Sequence, residues 1–145
     1  MGGKLDRDRS ALFVHAADGK PRVTKRILIA DDEPNIVAAL EFLLQRGGYE
    51  VHIARNGEEA LGLVASLLPD LVLLDVMMPR KSGYEVCVRM RECAEWRHIK
   101  IVMLSAKGRD AEVTKGLSIG ADLYVTKPFS TRDLIGKIDA LLETG

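Results

Sequence analysis

Five apolar runs alternate with five amphipathic segments along this chain, and the connections between them are short. Four of the runs end in a reactive polar residue. Together these features point to an α/β domain: a (βα)5 doubly wound, five-stranded parallel sheet in the order 2-1-3-4-5, a three-layer sandwich with helices on both faces. The length, 145 residues, suits one such domain with a sizeable core.

Residues 1–24 read as an N-terminal extension and 25–145 as the domain. Residues 4–10 are charged and polar and 11–17 mildly apolar, so the extension is expected to be flexible or to form a short helix of two turns. Arg26–Ala30 is the first strand, followed by Asp31-Asp32-Glu33-Pro34. Proline near a helix start and acids in a first turn both favour a helix there. Ile36, Leu40, Leu43 and Leu44 then recur at helical spacing, and Gly47-Gly48 stops the helix. Glu50–Ala54 is the second strand. Asn56 is a cap for the second helix, with Glu59 as its capping-box partner, and Ala60, Leu61, Val64 and Leu68 form the apolar face.

Residues 71–74 are four apolar residues in a row, read as a strand buried on both faces and ending at Asp75. Gly83 opens a third helix near residues 84–93, with Val86, Cys87 and Met90 inward. Residues 101–104 form the fourth strand, ending at Ser105. A fourth helix near residues 110–119 turns Val113 and Leu117 inward, and Gly120 closes it. Residues 123–126 form the fifth strand, ending at Lys127-Pro128. Ser130 caps the last helix, whose Leu134, Ile135, Ile138, Leu141 and Leu142 face the sheet.

Lysine plus arginine and aspartate plus glutamate both number 21, so the formal charge is zero. Such a balance gives no field to attract nucleic acid or an anionic membrane. The two cysteines, Cys87 and Cys93, lack metal-ligand spacing, so reduced thiols and a cytoplasmic location are expected. No apolar run approaches the ~20 residues of a spanning helix.

In a parallel sheet the four polar strand ends lie on one edge, and ligands bind at that edge beside the switch point in strand order. That gathers Asp31, Asp32 and Asp75, with Ser105 and Lys127 beside them. Three carboxylates so close repel, and without compensation one would protonate. A hard divalent cation suits the site, Mg²⁺ above all, and Lys127 adds one more positive charge. Three carboxylates, a divalent cation and an ammonium sum to zero, so the site tolerates a phosphate-bearing donor. A carboxylate can attack phosphorus and form an acyl phosphate, while the cation and lysine stabilise charge on the transferring oxygens. No histidine is placed to act as a base: His15, His52 and His98 fall on the extension, the second strand and a loop.

Over about residues 25–143 the chain resembles response-regulator receiver domains of two-component signalling. The resemblance rests on Asp31-Asp32-Glu33-Pro34, the buried run into Asp75, Met78-Pro79 with Gly83, Ser105-Ala106, and Gly120-Ala121-Asp122 leading to Lys127-Pro128-Phe129. It implies that Asp75 takes a phosphoryl group from a histidine kinase or phosphotransfer protein. Asp32 would bind Mg²⁺ directly, Asp31 largely through water, and the backbone carbonyl of Met77 would complete the protein ligands. Ser105 and Tyr124 match the hydroxyl and aromatic switch residues, Lys127 the phosphate-binding lysine, and the bond to Pro128 is cis in the family. Met77 and Lys107, two residues past Asp75 and Ser105, match positions that cover the phosphoryl group and set its lifetime. The resemblance also implies a phosphoacceptor that catalyses only its own phosphorylation and dephosphorylation, and a switched face of helix four, strand five and helix five. A downstream protein, the chain's own output domain or a second copy would read that face; the domain itself contacts no nucleic acid and no membrane.

Residues 105–108 and 115–129 are most similar to receivers of winged-helix transcription factors, although Leu123 stands where those often carry an acid. Gly145 falls just where a linker would begin, so a free-standing receiver and the receiver of a longer DNA-binding transcription factor both fit. A flavodoxin-like cofactor binder shares the topology but needs a phosphate loop of Ser, Thr and Gly where this chain has Asp-Asp-Glu-Pro. An aspartyl-phosphate hydrolase would carry a second acid where Met77 stands. A receiver-like scaffold acting by partner binding without phosphorylation remains the third alternative.

Overall fold

The computed structural model describes residues 14–15, 21–22, 24–106 and 108–144. Five β–α units follow in order: β1 Arg26–Ala30, α1 Pro34–Arg46, β2 Glu50–Ala54, α2 Gly57–Leu67, β3 Leu71–Asp75, α3 Gly83–Glu92, β4 Lys100–Ser105, α4 Asp110–Ser118, β5 Leu123–Thr126 and α5 Thr131–Thr144. The sheet runs β2-β1-β3-β4-β5, all parallel. This is the doubly wound, flavodoxin-like architecture that the alternation of segments predicts.

β3 is central, and Leu71, Val72, Leu73 and Leu74 are each fully buried. Alternation sends them to opposite faces. Val72 and Leu74 join Ala60 and Val64 of α2 and Val86, Cys87 and Met90 of α3. Leu71 and Leu73 join Val37, Leu40 and Leu44 of α1 and Leu134, Ile138 and Leu142 of α5. Burying such a side chain stabilises the fold by about 1.5–3 kcal/mol, so two cores clamp the strand that ends at Asp75.

Local chemistry sets the helix ends. Asn56 Oδ1 accepts from the Glu59 amide at 2.8 Å. The Glu59 carboxylate takes the Arg55 amide instead of closing a reciprocal box. The full capping box belongs to α3, where Ser82 and Glu85 exchange bonds. Ser130 Oγ accepts from the Asp133 amide.

Three expectations are corrected. Pro34 is the first residue of α1, so the acids stand before the helix and not in its first turn. Leu68 lies beyond α2 as its left-handed C-cap, φ 48°. On α4 the buried residue is Gly116, and Leu117 is 44% exposed. The cause is close approach: a Cβ on Gly116 would come within 2.7 Å of the Tyr124 ring and 3.0 Å of Met103 Sδ. The helix therefore rests on its glycine and turns Leu117 away. In the extension, Val14–His15 pairs antiparallel with Pro21–Arg22; the rest of residues 1–23, and with it most of the stretch expected to be flexible or helical, lies outside the described residues.

Candidate functional site

The carboxyl ends of β1, β3 and β4 carry Asp31, Asp75 and Ser105. Among the described residues these are the buried polar or charged ones, at 0, 3 and 0% exposure. Asp32, next to Asp31, is exposed. Carboxylate oxygens of Asp31, Asp32 and Asp75 lie within 4.8 Å of one another.

The backbone around Asp75 is fixed on both sides. The Val76 amide bonds Leu104 O at 3.0 Å and the Gly83 amide bonds Val76 O at 3.0 Å. The Met77 amide turns back to Asp75 Oδ1 at 3.1 Å. Gly83 is required here: a Cβ would lie 2.4 Å from the Asp75 carbonyl oxygen. Only glycine lets α3 start so close to the strand end.

Lys127 follows β5 and reaches across the edge. Its ammonium is 3.3 Å from Asp31 Oδ2 and 3.5 Å from Asp75 Oδ1, and it also pairs with Glu33 Oε1. The Lys127 amide bonds Ser105 O at 2.7 Å, and the Lys127–Pro128 peptide is cis. Ser105 lies one residue beyond the Asp75–Leu104 pair in the β3–β4 register. Tyr124 sits half-buried on β5 with its ring against Gly116 of α4. The Met77 side chain is 59% exposed beside the site; Lys107 lies outside the described residues.

Electrostatics follow from this crowding. Burial, then the Asp31 charge, push the Asp75 carboxyl up to about 6, against the Met77 amide and Lys127, which lower it; Asp32 adds a small upward push. For Lys127, burial pulls the ammonium down, but Glu33, Asp31 and Asp75 outweigh it and hold it above the usual lysine value. The three acids form a hard oxygen donor set whose mutual repulsion a divalent cation would relieve, so the residues fit Mg²⁺.

Sequence reasoning assigned no role to Glu33, which proves to be a partner of Lys127. The only signal was its place as third acid in the run after β1. It also left Tyr84 unremarked, because a tyrosine one residue into a helix reads as packing.

Comparison with known proteins agrees with this geometry. A family model described as the response regulator receiver domain matches residues 27–139. A CheY-like response regulator receiver domain protein from Methanospirillum hungatei is 31% identical, with a TM-score of 0.78, over 83% of this chain and 95% of that one. The receiver domain of a signal transduction histidine kinase from Syntrophus aciditrophicus is 31% identical, with a TM-score of 0.78, over 83% and 92%. The BeF3-activated DrrB receiver domain is 33% identical, with a TM-score of 0.76, over 83% and 98%. With its parallel five-stranded sheet and its acids gathered at the strand ends, the chain belongs to the response regulator receiver domain family of two-component signalling.

Proposed function

We propose that Asp75 is the phosphoacceptor of this receiver and that its modification re-shapes the face formed by α4, β5 and α5. The observation that supports this most is the burial of Asp75 between a second buried carboxylate, Asp31, and the Lys127 ammonium. A buried acid with a compensating cation 3.5 Å away is poised to trade its charge for that of a phosphate.

In the transfer an Asp75 oxygen attacks phosphorus on the imidazole of a sensor histidine kinase or phosphotransfer protein. The O–P bond forms as the P–N bond breaks, and the imidazole keeps the electron pair and takes up a proton. With its pKa near 6, Asp75 is largely ionised at pH 7 and needs no general base. Lys127 exchanges a carboxylate oxygen for a phosphoryl oxygen, and Ser105 donates its hydroxyl to another. Asp31, Asp32, Asp75 and the backbone carbonyl of Met77 would hold Mg²⁺, which when bound supplies positive charge to the acids and to the transferring oxygens. The exposed Met77 side chain offers no group to orient an attacking water, which makes self-dephosphorylation slow.

Ser105 drawn toward the phosphoryl group vacates space beside β5, and Tyr124 turns into it. The altered α4–β5–α5 face then meets a downstream protein, an output domain or a second copy. Free thiols at Cys87 and Cys93 fit a reducing, cytoplasmic setting. Among the described residues no helix is long and apolar enough to cross a membrane.

The test is incubation with a small phosphodonor and Mg²⁺, followed by intact-protein mass spectrometry. One phosphoryl group is expected on the native chain and none on Asp75→Asn. Undiminished labelling of the Asn variant would remove Asp75 from the mechanism.

A further inference from the structure

Three carboxylates surround the Lys127 ammonium, and they differ in their exposure. Asp31 and Asp75 are buried, whereas the Glu33 side chain is 54% exposed. Glu33 therefore closes on Lys127 from the solvent side. A ring of contacts fixes it there. The Glu33 amide donates to Asp31 Oδ1 at 2.9 Å. Lys127 donates to Asp31 Oδ2 at 3.3 Å and to Glu33 Oε1. Glu33 is also the N-cap of α1, yet its side chain makes no capping bond. A capping side chain ordinarily accepts from amides of the first turn; this one turns to Lys127 instead.

An ammonium has three protons to donate and accepts none. Three carboxylates take up that capacity, so a phosphoryl oxygen reaches Lys127 only as one of them withdraws. A buried charge that loses its partner is costly, which argues against releasing Asp31 or Asp75. Glu33 is released at the least cost, because its carboxylate can turn into water and an exposed ion pair contributes little. It also stands on the side from which a donor must come. Glu33 adds a fourth carboxylate to the site. With a divalent cation and the ammonium counted, the site then carries one net negative charge, which opposes an anionic group.

We propose that Glu33 is a positioning residue that acts through Lys127: its carboxylate holds the ammonium in the resting site as a stand-in for a phosphoryl oxygen, and must let go for a phosphoryl group to be bound. The inference rests on the receiver reading of the site. It makes Glu33 a brake on phosphoryl binding, set by charge. The same carboxylate keeps Lys127 at the mouth of the site, where the incoming group meets it.

The experiment titrates the whole chain with beryllofluoride at saturating Mg²⁺ and follows the fluorine resonances of the bound probe, at low salt and at high salt. Glu33→Gln keeps the shape of the side chain and removes its charge. At low salt it should bind beryllofluoride about two- to fivefold more tightly than the native chain, the range that an exposed ion pair spans. The difference should shrink as salt rises, because it arises from charge; a merely structural role would leave it unmoved. Native or weaker affinity in Glu33→Gln, or a gain that salt does not change, overturns the role of Glu33 while leaving the receiver reading intact. A native chain that binds no beryllofluoride overturns both.

Discussion

At the scale of single residues the account turns on Asp75. Its carboxyl is raised to about 6 by burial and by Asp31, against an ordinary value near 4 in the unfolded chain. Between those values the folded state binds more protons than the unfolded one, so stability is lost as pH rises through that window. The Asn variant carries no such charge. In chelator, Asp75→Asn should melt at nearly the native temperature near pH 4. By pH 7 it should melt higher by roughly 5–10 °C, the equivalent of about 2 kcal/mol. Calorimetry at several pH values checks this, and a difference that does not change with pH would show that Asp75 titrates normally. Mg²⁺ should shrink the difference by relieving the native chain. Asp32 is exposed, so its removal should stabilise the metal-free fold less than removal of Asp75.

At the scale of elements, the site depends on how closely α3 approaches β3. Gly83→Ala places a methyl group 2.4 Å from the Asp75 carbonyl oxygen and 2.9 Å from Val76 Cα, both backbone atoms. The helix start or the strand end must move, at a cost of about 1–3 kcal/mol. A lowered melting temperature together with weakened Mg²⁺ stabilisation is the expected outcome; a variant native in both would show that the loop absorbs the methyl. The five strands and five helices were legible because each has a strong apolar period: β3 is continuously apolar, and α1 and α5 repeat at helical spacing. α4 was misread for the same reason. Its pattern offers Val113 and Leu117, but the helix packs through Gly116, and a glycine gives no hydrophobic signal. Asp31, Asp75, Ser105 and Lys127 were legible because each interrupts an apolar run. Glu33 and Tyr84 were not, because their partners come from the turn after β5 and from α4, far away in sequence.

At the scale of the whole molecule, the proposed output surface is drawn from exposed residues of α4 and α5. The Lys115 ammonium lies 4.3 Å from the ring centroid of Tyr84 on α3. Leu123 is half-buried against the α5 side of the core. Leu117 supplies exposed apolar surface; at 100° per residue it lies round the helix from Gly116, opposite Lys115. Exposed Asp133 and Lys137 of α5 provide charges nearby. Phosphorylation should promote a weak symmetric dimer through this face, with modest salt sensitivity. Sedimentation at tens of micromolar should show it and show its loss in Leu117→Asp; a monomer in every state would assign the face to a different protein. All of this depends on where the phosphoryl group resides, and one measurement asks that directly. After phosphorylation with Mg²⁺ and a small phosphodonor, borohydride reduces an aspartyl phosphate to homoserine, which peptide mass spectrometry locates. Homoserine at position 75 and nowhere else is the predicted result. Homoserine at Asp31 or Asp32, or none in a chain that carries phosphate, would contradict the account.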